Sequence, residues 1–314
     1  MNQKSLRGSL LLLLGSVIWG AAFAAQRMGM DHVQPFTFSG IRMLLAGIVM
    51  IPAAALARKK NGTAPQTAES RKEQRRGGLL CGLLLFAATS LQQIGLVYTS
   101  AGKAGFITAL YVVLVPVTAW VFLRKQPGKV IWAGVGLAVI ALYLLCIPET
   151  GFRMERGDSM LLGCAVCFTG QILCVDHYAP RVESFTLARD EFLVTGSLSM
   201  IIALLTEEIR MQGILEAAVP ILYAGVLSGA IGYTIQIVGQ RDVNPTIASL
   251  IMCLESVFAV LTGVVLLGER MTGREAAGCV LMFTAVILAQ LSTAICGSIP
   301  GRKRRKTYEN ADCV

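Results

Sequence analysis

The chain is poor in charge. Only 15% of its 314 residues are Asp, Glu, Lys or Arg, where a water-soluble domain carries about 25%. It is also poor in histidine, with His32 and His177 alone. No H-E-x-x-H helix is present, and no other catalytic cluster can be assembled. A phosphate loop is missing too. Between Gly95 and Gly102-Lys103 stand six residues where the loop needs four, and Ala104 replaces its Ser or Thr. These gaps argue against an ATPase, an enzyme of any kind, a bound cofactor and a metal.

What fills the chain is apolar. It is 54% hydrophobic, and its mean hydropathy is +0.64. Long apolar stretches alternate with short charged ones, the pattern a bilayer selects. Ten stretches qualify as spans: 8–28, 35–57, 77–98, 104–123, 129–147, 158–178, 187–206, 217–239, 245–267 and 273–296. The fold class expected is therefore an all-α integral membrane protein with ten transmembrane helices. Ala22-Phe23-Ala24 resembles a signal-peptidase site, but nine more spans follow, so the first span is expected to be retained.

The net charge of +9 does not point to nucleic acid, because the cations sit between apolar segments. Lys and Arg fall twenty to one side and seven to the other, with Arg42 left inside a span. The positive-inside rule then places both termini in the cytoplasm. The 58–76 stretch reads as a cytoplasmic loop, in which the Asn61-Gly62-Thr63 sequon has no meaning. The basic tail from 297 to 314 reads as a lipid-attracted end. Nine cysteines lie mostly within spans. Cys164 and Cys167 form a C-x-x-C, but no second pair and no histidine pair accompany it. They read as small packing residues.

The halves overlay. Shifting residues 8–47 by 149 places them on 157–196 without a gap, matching Gly8 with Gly157, Phe36-Thr37 with Phe185-Thr186, Leu44 with Leu193 and Gly47 with Gly196. Five spans per half is odd, so the second half (148–296) should enter the membrane in the opposite sense to the first (1–147). Inverted repeats are a recurrent device of secondary carriers.

Polar groups inside spans are costly and mark function. Arg42 lies a third of the way into the second span, and the repeat overlays it on Glu191. It could hold an anion or snorkel to the surface. Glu255 is the one carboxylate placed at mid-depth. Charged, it would cost about 2–3 kcal/mol, so it should be protonated or hydrogen-bonded. Gln92, Gln93, Gln171, Tyr233, Gln236 and Gln240 add amide and phenol groups. Trp19 and Phe23, four apart, could form an aromatic wall. Gly78-x-x-x-Gly82 and Gly225-x-x-x-Gly229 should let helices approach closely, and Pro116 should kink the fourth span.

These residues resemble the EamA family of the drug/metabolite transporter superfamily over nearly the whole chain. The likeness rests on Trp19-Gly20 with Phe23, Pro35-Phe36, Ile41-Arg42, the 99–116 stretch TSAGKAGFITALYVVLVP, Tyr233, Gln236, Gln240, Leu254-Glu255 and Gly268-Glu269. Two positions depart from the family pattern. Glu255-Ser256 stands where Glu-Pro is usual, which removes an expected kink. Arg124 stands where Gly-Glu often occurs. The resemblance implies ten helices, cytoplasmic termini, a bacterial inner-membrane location, and export or exchange of small metabolites.

The resulting expectation is an alternating-access carrier for amino acids, related metabolites or drug-like compounds. Trp19, Arg42, Gln93, Tyr111, Tyr233, Gln236 and Glu255 should line its central cavity. Arg42 should hold an anionic group, and Glu255 should couple to protons or hold a cation. The partners expected are a small-molecule substrate, membrane lipid, a proton as candidate coupling ion, and a second copy of the chain as candidate dimer. The alternative is a channel or a non-transporting scaffold.

Overall fold

A computed structural model describes residues 3–60, 67–99, 101–124, 126–147, 155–267 and 270–297. Asn61-Gly62-Thr63, Lys125, Arg153, Gly268-Glu269 and the basic tail beyond Gly297 lie outside them.

Ten long helical segments follow one another. They are α1 (Gln3–Gly20 continuing as Ala22–Met30), α2 (Pro35–Lys60), α3 (Ala68–Val97), α4 (Ala101–Ala109 continuing as Tyr111–Leu123), α5 (Lys129–Cys146), α6 (Arg156–Tyr178), α7 (Ser184–Thr206), α8 (Ala218–Gln240), α9 (Pro245–Met252 continuing as Glu255–Leu267) and α10 (Gly273–Gly297). A short helix, Met211–Glu216, precedes α8. Among the described residues nine segments are long and apolar enough to cross a membrane. The other, α7, has 23 residues, and its apolar run is interrupted by Arg189-Asp190-Glu191.

The starts of these helices are written locally. Thr67 caps α3 by accepting from the Ser70 amide. Asn244 caps α9 ahead of Pro245, whose missing N–H costs nothing in a first turn. At α7 the Glu183 carboxylate accepts from the Phe185 and Thr186 amides. Its repeat counterpart at the start of α2 is Gln34, and there Glu207, from the far end of α7, accepts from the Phe36 and Thr37 amides at 2.8 and 2.6 Å.

Apolar side chains cover the outside of the molecule as well as filling its core. Phe122, Leu205 and Val265 point outward, while Arg42, Glu191 and Glu255 are buried. That is what a molecule surrounded by hydrocarbon requires: apolar groups outside and every polar group satisfied or sequestered within. The chain is a multi-pass membrane protein.

The helix contacts fall into pairs. Helix α2 packs on α7 and α5 on α10. The other main contacts are α1 with α8, α3 with α6, α1 with α9, α4 with α6, α2 with α8, and α3 with α7. Exchanging the first five helices for the last five leaves this set unchanged. The closest crossings show the same reciprocity. A Cβ on Gly47 would meet the Leu193 side chain at 2.7 Å, and one on Gly196 would meet Leu44 at 2.6 Å. Likewise Gly8 abuts Gly239 between α1 and α8, as Gly157 abuts Gly95 between α6 and α3. The two glycine pairs noted in the sequence also sit in such contacts. Gly78 and Gly82 face Asp190 and Val194 of α7, while Gly225 and Gly229 face Leu45 and Ala46 of α2.

Two breaks in the helices stand where the sequence did not place them. The fourth helix is interrupted at Leu110, and Pro116 lies inside its second segment, Tyr111–Leu123. The ninth helix breaks at Cys253-Leu254 although Ser256 replaces the family's proline.

Candidate functional site

Four departures from regular helix converge. α1 is interrupted at Ala21, α4 at Leu110 and α9 at Cys253-Leu254, and α8 widens into a π-helix over Tyr223–Tyr233. Residues beside each departure line one central, partly open cavity: Trp19, Ala22 and Phe23 from α1, Thr108 and Tyr111 from α4, Met252 and Glu255 from α9, and Ser228, Tyr233 and Gln236 from α8. Arg42, Gln26, Gln92, Phe168, Gln171 and Ile172 complete the lining. Broken helices free backbone groups, and in a membrane such groups are tolerated where they line a cavity. The π-turns are used in this way. The Ser228 carbonyl accepts from Trp19 Nε1 at 3.2 Å, and Gly232 lets the indole approach so closely that a Cβ there would meet Nε1 at 2.7 Å.

Six of the seven residues expected from sequence border this cavity. Gln93 does not. It is wholly buried, and among the described residues neither end of its amide has a partner. Its neighbour Gln92 takes the place instead, because adjacent helical residues face directions about 100° apart. Sequence reasoning did not assign Gln26, Thr108, Gln171 or Ser228 to the lining. Their only signal was polarity within an apolar span.

Arg42 is 2% exposed. Its guanidinium stands 5.5 Å from the centre of the Phe38 ring, and Nε and Nη2 have no hydrogen-bond partner. It neither snorkels outward nor meets an internal carboxylate among the described residues. Glu255 opens the second segment of α9, where the helix dipole favours negative charge, and its Oε1 accepts from Tyr111 Oη at 3.5 Å. Trp19 and Tyr233 stack at 5.1 Å between ring centres. Trp19 and Phe23 both border the cavity, so the aromatic wall is formed with Tyr233 as a third member.

Below Tyr233 an amide ladder closes the space. Gln240 Nε2 donates to the Ile172 carbonyl, Gln236 Nε2 donates to Gln240 Oε1 and Gln171 Oε1, and Gln171 Nε2 donates to Glu191 Oε1 at 2.8 Å. Elsewhere Lys103 pairs with Asp158 at 2.8 Å and Glu155 at 3.4 Å and ties α4 to α6. Among the described residues no three His, Cys, Asp or Glu side chains cluster as metal ligands.

An outward apolar shell, and a cavity lined by buried polar side chains at the meeting point of broken helices, define a membrane transporter scaffold. The particular family follows from comparison: the profile of the EamA-like transporter family matches residues 6–147 and 155–291, and the chain belongs to that family. It is 29% identical over 291 residues to an uncharacterized transporter of Archaeoglobus fulgidus, covering 92% of this chain and 87% of that one. It is 25% identical to a probable amino-acid metabolite efflux pump of Salmonella typhimurium, covering 90% and 95%. It is 24% identical to an S-adenosylmethionine/S-adenosylhomocysteine transporter of Chlamydia muridarum, covering 82% and 84%. A solved crystal structure shares the fold, with a TM-score of 0.75 at 18% identity over 93% of this chain and 99% of that one.

Proposed function

We propose that this chain is a secondary carrier that moves a small organic solute bearing both an anionic group and N–H donors, an amino acid or a close relative, by alternating access. The observation that carries the reading is Arg42: a buried guanidinium facing the cavity with Nε and Nη2 unused. A charge at that depth costs about 2.5–3.5 kcal/mol on insertion scales, and an anionic ligand would offset it. Unused acceptors complement it on the same cavity wall, at Gln26 Oε1 and Gln236 Oε1, and Glu255 faces the same space. A zwitterion matches that set. The relatives named for amino-acid metabolites and for S-adenosylmethionine, itself an amino acid, support this class.

In this reading all ten helices span, α7 among them, and residues 1–147 and 148–296 form two inverted halves with both termini in the cytoplasm of a bacterial inner membrane. The paired contacts and reciprocal glycine crossings support the inversion. A proton is the coupling ion, held at Glu255. The test is a thermal-shift screen of the purified protein against amino acids, nucleosides, polyamines and quaternary ammonium compounds. Stabilisation by amino acids that is lost in Arg42→Ala supports the proposal. Stabilisation by polyamines alone, indifferent to Arg42, overturns it.

A further inference from the structure

We propose that Glu191 is the counter-charged twin of Arg42: in the opposite conformation of the carrier it faces the pathway from the other membrane face and there binds positive charge, a proton or an organic ammonium. This rests on the carrier reading above.

The placement comes first. The gapless shift of 149 puts Arg42 on Glu191, and each stands seven residues past the first residue of its helix, Pro35 in α2 and Ser184 in α7. That is about 10 Å of rise. The two helices run antiparallel, since Gly40 meets Met200 and Gly47 meets Leu193. Arg42 and Glu191 therefore sit on opposite sides of the crossing, one toward each face. The crossing itself is reciprocal, with Gly47 on Leu193 and Gly196 on Leu44.

The present environments of the two residues differ in the way an inverted pair requires. Arg42 borders the open cavity. Glu191 is fully buried and absent from the lining, sealed off behind Gln171, with one oxygen bonded and Oε2 unpartnered. Gln171 and Gln236, which form the seal, both border the cavity on their other side. Tyr233, stacked on Trp19, lies within electrostatic range of Arg42, Glu191 and Glu255. When two inverted halves exchange conformations, the half that now presents its charge withdraws it and the other presents its own. The pathway would thus offer a cation to one compartment and an anion to the other. A solute anion held at Arg42 is released when the cavity turns, while positive charge is taken up at Glu191 for the return.

The titratable groups near Glu191 are few. The free thiol of Cys81 on α3 donates a hydrogen bond to Cys174 of α6, Tyr233 stands on α8, and Arg189 and Asp190 of its own helix pair with each other at 2.6 Å.

The test needs no identified solute. Spheroplasts and inverted vesicles from cells expressing the full chain are treated with a water-soluble carbodiimide and taurine. Adducts at Glu191 and Glu255 are then read by peptide mass spectrometry. We expect Glu191 to be modified from one preparation only and Glu255, at the central site, from both, and Gln171→Ala to raise Glu191 labelling several-fold. Choline in the medium separates the two sources of charge. Protection of Glu191 supports an organic ammonium, and persistent labelling supports a proton. Labelling of Glu191 from both preparations alike, or of Glu255 alone, overturns the inference and leaves the carrier reading standing. Labelling of neither overturns both.

Discussion

Arg42 is held in place by shape and by the Phe38 ring while its charge goes unanswered, so its removal should relieve the resting protein and disable the working one. Arg42→Met is expected to raise the thermal midpoint of the ligand-free protein, by the equivalent of about 1–3 kcal/mol, and to abolish ligand-induced stabilisation. Arg124 makes a related point at the end of α4. It is the one described non-glycine residue with positive φ, at 53°, a conformation costing about 1–2 kcal/mol outside glycine. Arg124→Gly should therefore be neutral or raise the midpoint slightly, measured in the same melts. At this scale much of the site was legible, because Arg42, Tyr233, Gln236 and Glu255 are polar letters in apolar text. Gln92 was passed over for Gln93, since a helix face cannot be assigned from two adjacent identical residues. Glu191 was passed over because Arg189-Asp190-Glu191 reads as a helix entrance. The helix in fact begins at Ser184 and carries Glu191 two turns deep.

Among elements, the glycine crossings do the most to set distances. Gly47→Ala and Gly196→Ala should each destabilise, because a Cβ at either site would lie under 3 Å from a leucine of the partner helix. The two losses should be similar, about 1–3 kcal/mol each by overpacking, and the double variant should lose less than their sum, since both changes act on one crossing. Thermal melts of the four proteins check this. The carboxylate caps invite a second comparison. Glu207→Gln should cost about 1–2 kcal/mol by weakening bonds to Phe36 N, Thr37 N and Thr37 Oγ1, and hydrogen exchange should rise at the start of α2. Glu183→Gln should do the same at α7. The order of the long helices could be read from hydropathy because lipid enforces long apolar runs, and nine of them are long and apolar enough to cross a membrane among the described residues. The interruptions at Leu110 and Cys253-Leu254 could not be read so, for no proline or glycine stands at them, and only Gly20 stands beside the one at Ala21. They arise from how the helices cross.

For the whole molecule, the set of helix contacts survives exchange of the two halves, and the site sits where the halves meet. An alternating-access carrier built this way should show saturable uptake in proteoliposomes and faster efflux when unlabelled solute is present on the far side. A channel would show neither, so labelled amino-acid counterflow decides between them. The proposed repeat rests on scattered identities such as Leu44 with Leu193 and Gly47 with Gly196, and those residues lie at the crossing of α2 and α7. The break in α9 has a wider consequence. A proline would make that gap permanent, because it deletes a donor from the chain. Here Cys253, Leu254 and Ser256 keep their amide hydrogens, and those of Leu254 and Ser256 are now spent on short bonds to Ile251 and Cys253. Such a gap can mend: the helix can zip shut through Glu255 and reopen, at the expense of a few interchangeable bonds. That makes α9 a reversible splice, one that a proline at 256 would freeze.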